Sequence, residues 1–145
     1  MAEGGRKVVI GVDESSFAEE AFNFYAENFL KEDDVIILVH TPERYNFVDA
    51  SPAVIHELLT EIKKKLKVLE EKYQEKLKAY NVKSAKFVSK EGEAGEAIVA
   101  IAEKEKANLI VTGTRGMGKL RRTFLGSVSD YVIHHAKCPV LVCRK

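Results

Sequence analysis

The chain has 145 residues, with 23 lysines and arginines against 22 aspartates and glutamates, a formal net charge of +1 at pH 7. That length suits a single domain with a real core, and a charge near zero argues for neither nucleic acid nor an anionic membrane as partner. No apolar run reaches the length of a transmembrane helix and Met1-Ala2-Glu3-Gly4-Gly5 has no signal-peptide character, so a cytoplasmic protein with no membrane partner is expected.

Residues 1–6 are expected to form a disordered arm. Lys7 to Val12 is a continuous apolar run, the pattern of a strand buried on both faces of a parallel sheet. It empties into Asp13-Glu14-Ser15-Ser16, where either serine can cap the next helix. That helix carries Phe17, Ala18, Ala21, Phe22, Phe24, Tyr25, Phe29 and Leu30 at roughly helical spacing. Val35 to Val39 is a second buried strand, ending at His40-Thr41-Pro42. Residues 43–53 have no period and read as a loop.

The longest periodic stretch runs from Ala53 to Tyr80. Ile55, Leu58, Leu59, Ile62, Leu66, Leu69, Tyr73, Leu77 and Tyr80 recur every three or four residues, which predicts one amphipathic helix lying on the sheet. Lys63, Lys64, Lys65 and Lys67 are interleaved with or flanked by Glu57, Glu61, Glu70 and Glu71, so they form a mixed solvated face rather than a nucleic-acid patch. Asn81 fits the C-cap. Ala85 to Ser89 is a weaker strand, Glu91-Gly92-Glu93 a turn, and Ala94 to Lys106 a helix with Ala97, Ile98, Ile101 and Ala102 inward. Asn108 to Thr112 is a fourth strand and Pro139 to Cys143 a fifth. Cys138 and Cys143 are the only cysteines; an odd separation along a strand sets them on opposite faces, so both are expected reduced.

Between the last two strands lies the most informative stretch, Gly113-Thr114-Arg115-Gly116, then nine residues to Gly126-Ser127, then the helix Tyr131 to Ala136. A strand running into a glycine-rich loop that ends at a helix N-terminus is a place for phosphate, because backbone N–H groups and the helix dipole face an anion there. Gly113 to Lys119 satisfies most of a Walker A pattern, but Leu120 stands where a magnesium-binding Ser or Thr is required. The helix start fits Ser127 better, as an N-cap with Asp130 as a variant capping-box partner. Two segments, Gly113–Gly116 and Gly126–Ser129, are therefore expected to hold one polyphosphate between them.

Strands alternate with helices throughout, which makes the fold class α/β with a mainly parallel sheet and helices on both faces. Ligands bind such sheets beyond the strand C-termini, at the point where strand order reverses. Asp13-Glu14, Val39-His40-Thr41 and the Gly113 loop all fall at strand C-termini.

The double-glycine spacing, the opening Val9-Ile10-Gly11-Val12-Asp13, and the close Ser127-Val128-Ser129-x-x-Val132 with His135-Ala136-x-Cys138-Pro139-Val140-Leu141-Val142 resemble the universal stress protein family, in its ATP-binding branch. The resemblance covers Lys7 to Arg144. It implies a Rossmann-like three-layer α/β/α sandwich whose five-stranded parallel sheet has the order 3-2-1-4-5. It also implies ATP in the crevice at the reversal, with Val12 and Val39 flanking adenine and Val39 offering backbone hydrogen bonds. Asp13 would face the ribose or a magnesium ion, with Glu14 beside it. Gly113, Arg115, Gly116, Gly118, Gly126, Ser127, Val128 and Ser129 would surround the ribose and phosphates. A homodimer through Val140, Leu141 and Val142 is implied as well, and an open apolar edge strand suits it.

Several of these residues have a plainer role available. Asp13 can cap the first helix. Lys119, Arg121 and Arg122 can be ordinary solvent-facing loop residues, and His40, His56, His134 and His135 lack metal-ligand company. No nucleophile–base pair is evident, so a held nucleotide with slow or no turnover is expected. The alternatives are a slow ATPase or autophosphorylating enzyme, and a nucleotide-free dimeric interaction protein. A response-regulator receiver would share the Asp13-Glu14 pair, but the third strand ends at Ser89-Lys90 without a phosphoacceptor aspartate.

Overall fold

The structure is a computed structural model and describes residues 5–42, 47–114 and 126–144. The elements alternate as read: β1 (Lys7–Gly11), α1 (Ser16–Asn28), β2 (Val35–His40), α2 (Pro52–Ala79), β3 (Ser84–Ser89), α3 (Ala94–Glu105), β4 (Leu109–Gly113), α4 (Ser127–His135) and β5 (Val140–Cys143). The five strands make one parallel sheet in the order β3-β2-β1-β4-β5.

The apolar strand runs are explained by two cores, one on each face of the sheet. Val9 lies between Ile37 of β2 and Ile110 of β4, and all three face the layer of α3 and α4 together with Ile98, Ile101 and Val132. Their neighbours Val8, Ile10, Ile36, Leu38 and Val111 point the other way, onto Phe22 and Tyr25 of α1 and Leu69 and Tyr73 of α2. Alternate residues thus serve opposite layers, and every one of them must be apolar. Cys138 and Cys143 pack on opposite cores and both are free thiols, as their spacing requires.

Two helices depart from the sequence reading. In α1, Phe24 and Phe29 are 45% and 44% exposed and lean on each other instead of the core. In α2 only Leu69 and Tyr73 are buried, while Leu59 is 45% exposed and Ile55, Leu58, Ile62 and Leu66 are half-buried. The reason is length. A helix of 28 residues spans about 42 Å, whereas a six-residue strand spans about 20 Å. The second half of α2 is docked, with Tyr73 edge-on to Phe22 at 5.4 Å and Lys72 and Lys76 paired to Glu19 at 2.8 and 2.9 Å. The first half runs on past the strand ends. Asn81 sits just beyond the helix in the left-handed conformation, φ 60°, suited to its small polar side chain.

Just ahead of β1, Arg6 is tied to the start of β2. Arg6 Nε lies 2.8 Å from Asp34, and its guanidinium also donates to the Phe29 carbonyl. Asp34 is 1% exposed and accepts from the Tyr25 hydroxyl and the Lys31 N–H as well. Burial alone would push the Asp34 carboxyl up; the Arg6 guanidinium and the Tyr25 hydroxyl outweigh it and hold the group below its usual value.

Candidate functional site

Strand order reverses between β1 and β4, and a crevice opens at their C-terminal ends. Its floor is Gly11, Val12 and Asp13 of β1 and its exit, with Thr112 and Gly113 of β4 opposite; Val39 and Thr41 of β2 close one side. The helix layers add Ala18, Ala94, Ile98 and Val128, around a cavity of about 90 Å³. Val12 and Val39 are nearly fully buried and belong to opposite cores, so the crevice passes between the two layers.

Asp13 lies at the start of α1 and on the crevice wall, but it is not itself the helix cap. Its Oδ1 accepts from the Ser15 N–H at 2.8 Å and from the Ser15 hydroxyl, and Ser15 Oγ in turn accepts from the Ala18 N–H at 3.2 Å. Ser15 is therefore the N-cap of α1 and Asp13 steadies it. The same carboxylate lines the crevice. Gly113 has a structural reason of its own: a Cβ there would stand 2.8 Å from the Phe17 carbonyl oxygen, where the first turn of α1 crosses the end of β4.

Arg115, Gly116 and Gly118 lie outside the described residues, as do Lys119, Arg121 and Arg122. The flanks of that segment are described. Thr114 donates its N–H to the Cys143 carbonyl at 3.1 Å and accepts from the Gly126 N–H at 2.5 Å. Ser129 Oγ lies 3.0 Å from the same Thr114 carbonyl and 3.1 Å from that of Gly126. Ser129 is 1% exposed. Its hydroxyl belongs to this clasp, while its N–H stays at the start of α4.

The start of α4 is one residue earlier than the capping pattern indicated. Gly126 is the N-cap, at φ −68° and ψ 160°, and no side chain caps the helix. Ser127 is instead the first helical residue and is exposed. Asp130 gives its N–H to the Gly126 carbonyl, but its carboxylate lies 3.4 Å from His134 rather than at the cap. The clasp explains the shift, since Gly126 is held by Thr114 on one side and Asp130 on the other. What remains is a helix N-terminus whose Ser127, Val128 and Ser129 N–H groups have no partner among the described residues, with Val128 on the crevice wall.

On the other side of the crevice, the Val39 carbonyl already accepts from the Val12 N–H at 2.9 Å. The first residue beyond it with no backbone hydrogen bond among the described residues is Thr41, within the Val39-His40-Thr41 segment that the sequence places at a strand C-terminus. The α3 residues Ala94 and Ile98 were missed; no local signal marks them, because only the packing of α3 across the sheet brings them in. His40 is 6% exposed, and burial pushes its imidazole below the ordinary value against the opposing pull of Glu14 and Asp13. Glu14 faces a second cavity rather than the crevice. Among the described residues no three histidine, cysteine, aspartate or glutamate side chains gather as a metal site, so Asp13 would be the sole carboxylate offered to a cation in the crevice. No described helix is long and apolar enough to cross a membrane.

The universal stress protein family profile matches residues 5–144. A universal stress protein of Methanocaldococcus jannaschii, MJ0531, is 37% identical over 97% of this chain and 82% of its own length. Among solved structures, the hypothetical protein MJ0577 superposes with a TM-score of 0.82 at 28% identity, covering 97% of this chain and 96% of that one. A universal stress protein family protein of Arabidopsis thaliana, solved with AMP bound, has the same fold at a TM-score of 0.73 and 23% identity, over 97% of this chain and 92% of that one.

Proposed function

Because the chain belongs to the universal stress protein family, we propose that its crevice holds an adenine nucleotide, ATP in the first instance, and that the protein works as a nucleotide-dependent binding module in a stress response. The observation that carries this reading is the uncapped N-terminus of α4 on the wall of the switch-point crevice. Unpaired N–H groups and the positive end of the dipole suit phosphate there. The Arabidopsis relative with AMP bound supports the ligand class.

In this reading adenine lies between Val12 and Val39, with Thr41 supplying the backbone hydrogen bonds. Asp13 takes the ribose hydroxyls through the carboxylate oxygen not used by Ser15, or shares a magnesium ion with the phosphates. Gly113, Gly126, Ser127 and Val128 line the ribose and phosphate path, and Arg115, Gly116 and Gly118 extend it. Magnesium would screen the charge that Asp13 and Glu14 otherwise set against the phosphates.

Dimerisation through Val140, Leu141 and Val142 is part of the proposal. β5 is an edge strand of half-buried apolar residues, whereas the opposite edge, β3, carries Lys86 and is flanked by Lys83 and Lys90. Charged lysines discourage pairing at one edge and nothing comparable guards β5 up to Arg144. We place the dimer in the cytoplasm.

The test is thermal. Adding ATP, ADP or AMP to nucleotide-free protein raises the melting temperature in proportion to the logarithm of ligand concentration over Kd. No shift with any of the three rejects the reading, and a shift with AMP as large as that with ATP removes the β and γ phosphates from it.

A further inference from the structure

His40 ends β2, between Val39 and Thr41 of the crevice wall. Its ring is 6% exposed and stands 6.3 Å from the Phe87 ring of β3. Nδ1 is buried with no hydrogen-bond partner among the described residues, which is exceptional for a buried polar atom. Nε2 is 4.0 Å from Glu14 Oε2, too far for a hydrogen bond. The strand is anchored up to this residue, because the Lys90 N–H donates to the His40 carbonyl at 3.0 Å. Thr41, the next residue, has no backbone hydrogen bond among the described residues. Beside the ring lies a second cavity of about 220 Å³, which Glu14 and Thr41 also line.

The seat suits a neutral imidazole. One ring nitrogen is then an acceptor, and burial leaves a hydrogen bond unmade. A proton makes both nitrogens N–H donors and adds a charge in a place with an aromatic ring at its side. Burial therefore holds the group below its ordinary value, while Glu14 and Asp13 at the exit of β1 pull the other way. From α2, Lys65 borders the same cavity and opposes the proton, and with Lys64 and Lys72 it also competes for Glu14. From β3, Phe87 and Ser89, which is opposite His40 in the register, carry no charge. The nearest carboxylate to a charged ring is thus Glu14, and open space lies beside the ring on that side.

We propose that His40 is an acid-operated latch on Thr41. Unprotonated, the ring fills its seat against Phe87 and Thr41 stands on the crevice wall. On taking one proton from solvent, the ring turns into the cavity and pairs with Glu14. Thr41 follows it, since no backbone bond holds Thr41 in place. The consequence for ligand rests on the nucleotide reading above: Thr41 holds adenine there, so acid weakens binding.

The experiment is an NMR titration of the full chain, free of nucleotide, from about pH 8 to about pH 5. It follows the His40 ring and the Thr41 amide, and calorimetry measures ATP affinity over the same range. Ring and amide are expected to change together, at one midpoint below about 6.5. Glu14→Gln lowers that midpoint, and in His40→Phe the Thr41 amide no longer responds. Below the midpoint ATP affinity falls by up to about tenfold per pH unit, over and above any fall in His40→Phe. The Glu14 side chain is 44% exposed, so Glu14→Gln keeps the test sound should His40→Phe disturb folding. A ring that takes no proton in this range, or a Thr41 amide that stays flat while it does, overturns the proposal. So does a midpoint unmoved in Glu14→Gln, or an ATP affinity with the same pH dependence in the parent and in His40→Phe. A Thr41 amide that follows the ring in a protein that binds no nucleotide at any pH upholds the latch and rejects the nucleotide reading instead.

Discussion

The Gly126 N–H donates to the Thr114 carbonyl at 2.5 Å, and this one bond brings together two residues twelve positions apart. Ser129 Oγ reaches the same carbonyl at 3.0 Å. The end of β4 and the start of α4 are thereby fixed against each other regardless of what the intervening residues do. The spacing between the two glycine segments is a clasp as well as a candidate phosphate cradle.

The clasp predicts the effect of Ser129→Ala. A buried hydroxyl and its hydrogen bond are lost, which costs about 1–2 kcal/mol and lowers the melting temperature. Nucleotide affinity falls with it, because the start of α4 is no longer held. Denaturant melts with and without ATP measure both effects. Unchanged stability would mean that the Ser129 contact contributes nothing.

Ser127→Glu separates stability from binding. Ser127 is exposed in the first turn of α4, where a carboxylate favours the helix dipole by about 0.3–1 kcal/mol. The same charge repels phosphate. The expected variant is as stable as the parent or slightly more so, and binds ATP about tenfold more weakly or worse by calorimetry. Undiminished affinity would put the phosphates elsewhere.

The overhang of α2 is testable by paired truncations. Leu69 is 3% exposed and Leu59 45%. Leu69→Ala should cost about 2–5 kcal/mol, and Leu59→Ala less than about 1 kcal/mol. Equal costs would indicate that the first half of the helix is docked after all.

The Arg6–Asp34–Tyr25 cluster makes a pH prediction. The Asp34 carboxyl is held below its usual value in the folded chain, so folding favours the ionised form. Its contribution is complete above the unfolded carboxylate range, about pH 4, and is lost as pH falls through the lower folded value. Asp34→Asn should lose about 3 kcal/mol at neutral pH and show a flatter loss of stability below about pH 4. Acid melts that fall in parallel for both proteins would refute the assignment.

These cases show why some of the molecule was legible in the sequence and some was not. Val9, Ile37 and Ile110 are buried on a strand between two helix layers, and such strands must be apolar throughout, so the strand runs and their alternation with helices were plain. β-α alternation places Asp13, Thr41 and Gly113 at strand ends, but the strand order, and with it the reversal between β1 and β4, was implied by the resemblance of the motifs to the universal stress protein family. The extent of α2 was not legible, since Ile55 and Leu59 keep the helical period of Leu69 and Tyr73 whether or not a sheet lies beneath them. Ser127 has the better cap chemistry, yet Gly126 caps α4, because a tertiary bond to Thr114 decides the matter. The Ser129 hydroxyl is a fastener for the same reason. Ala94 and Ile98 enter the site only through the packing of α3 across the sheet.

The measurement that bears most directly on the account is the identity of what the protein carries. The chain is purified without added nucleotide, denatured, and the released small molecules are identified by mass spectrometry; the emptied protein is then refolded and offered ATP. The account predicts an adenine nucleotide in the released fraction and a rise in melting temperature on adding ATP that Ser127→Glu does not share. No nucleotide released, together with a melting temperature indifferent to ATP, would contradict it and leave a dimeric interaction protein built on the β5 edge as the better description.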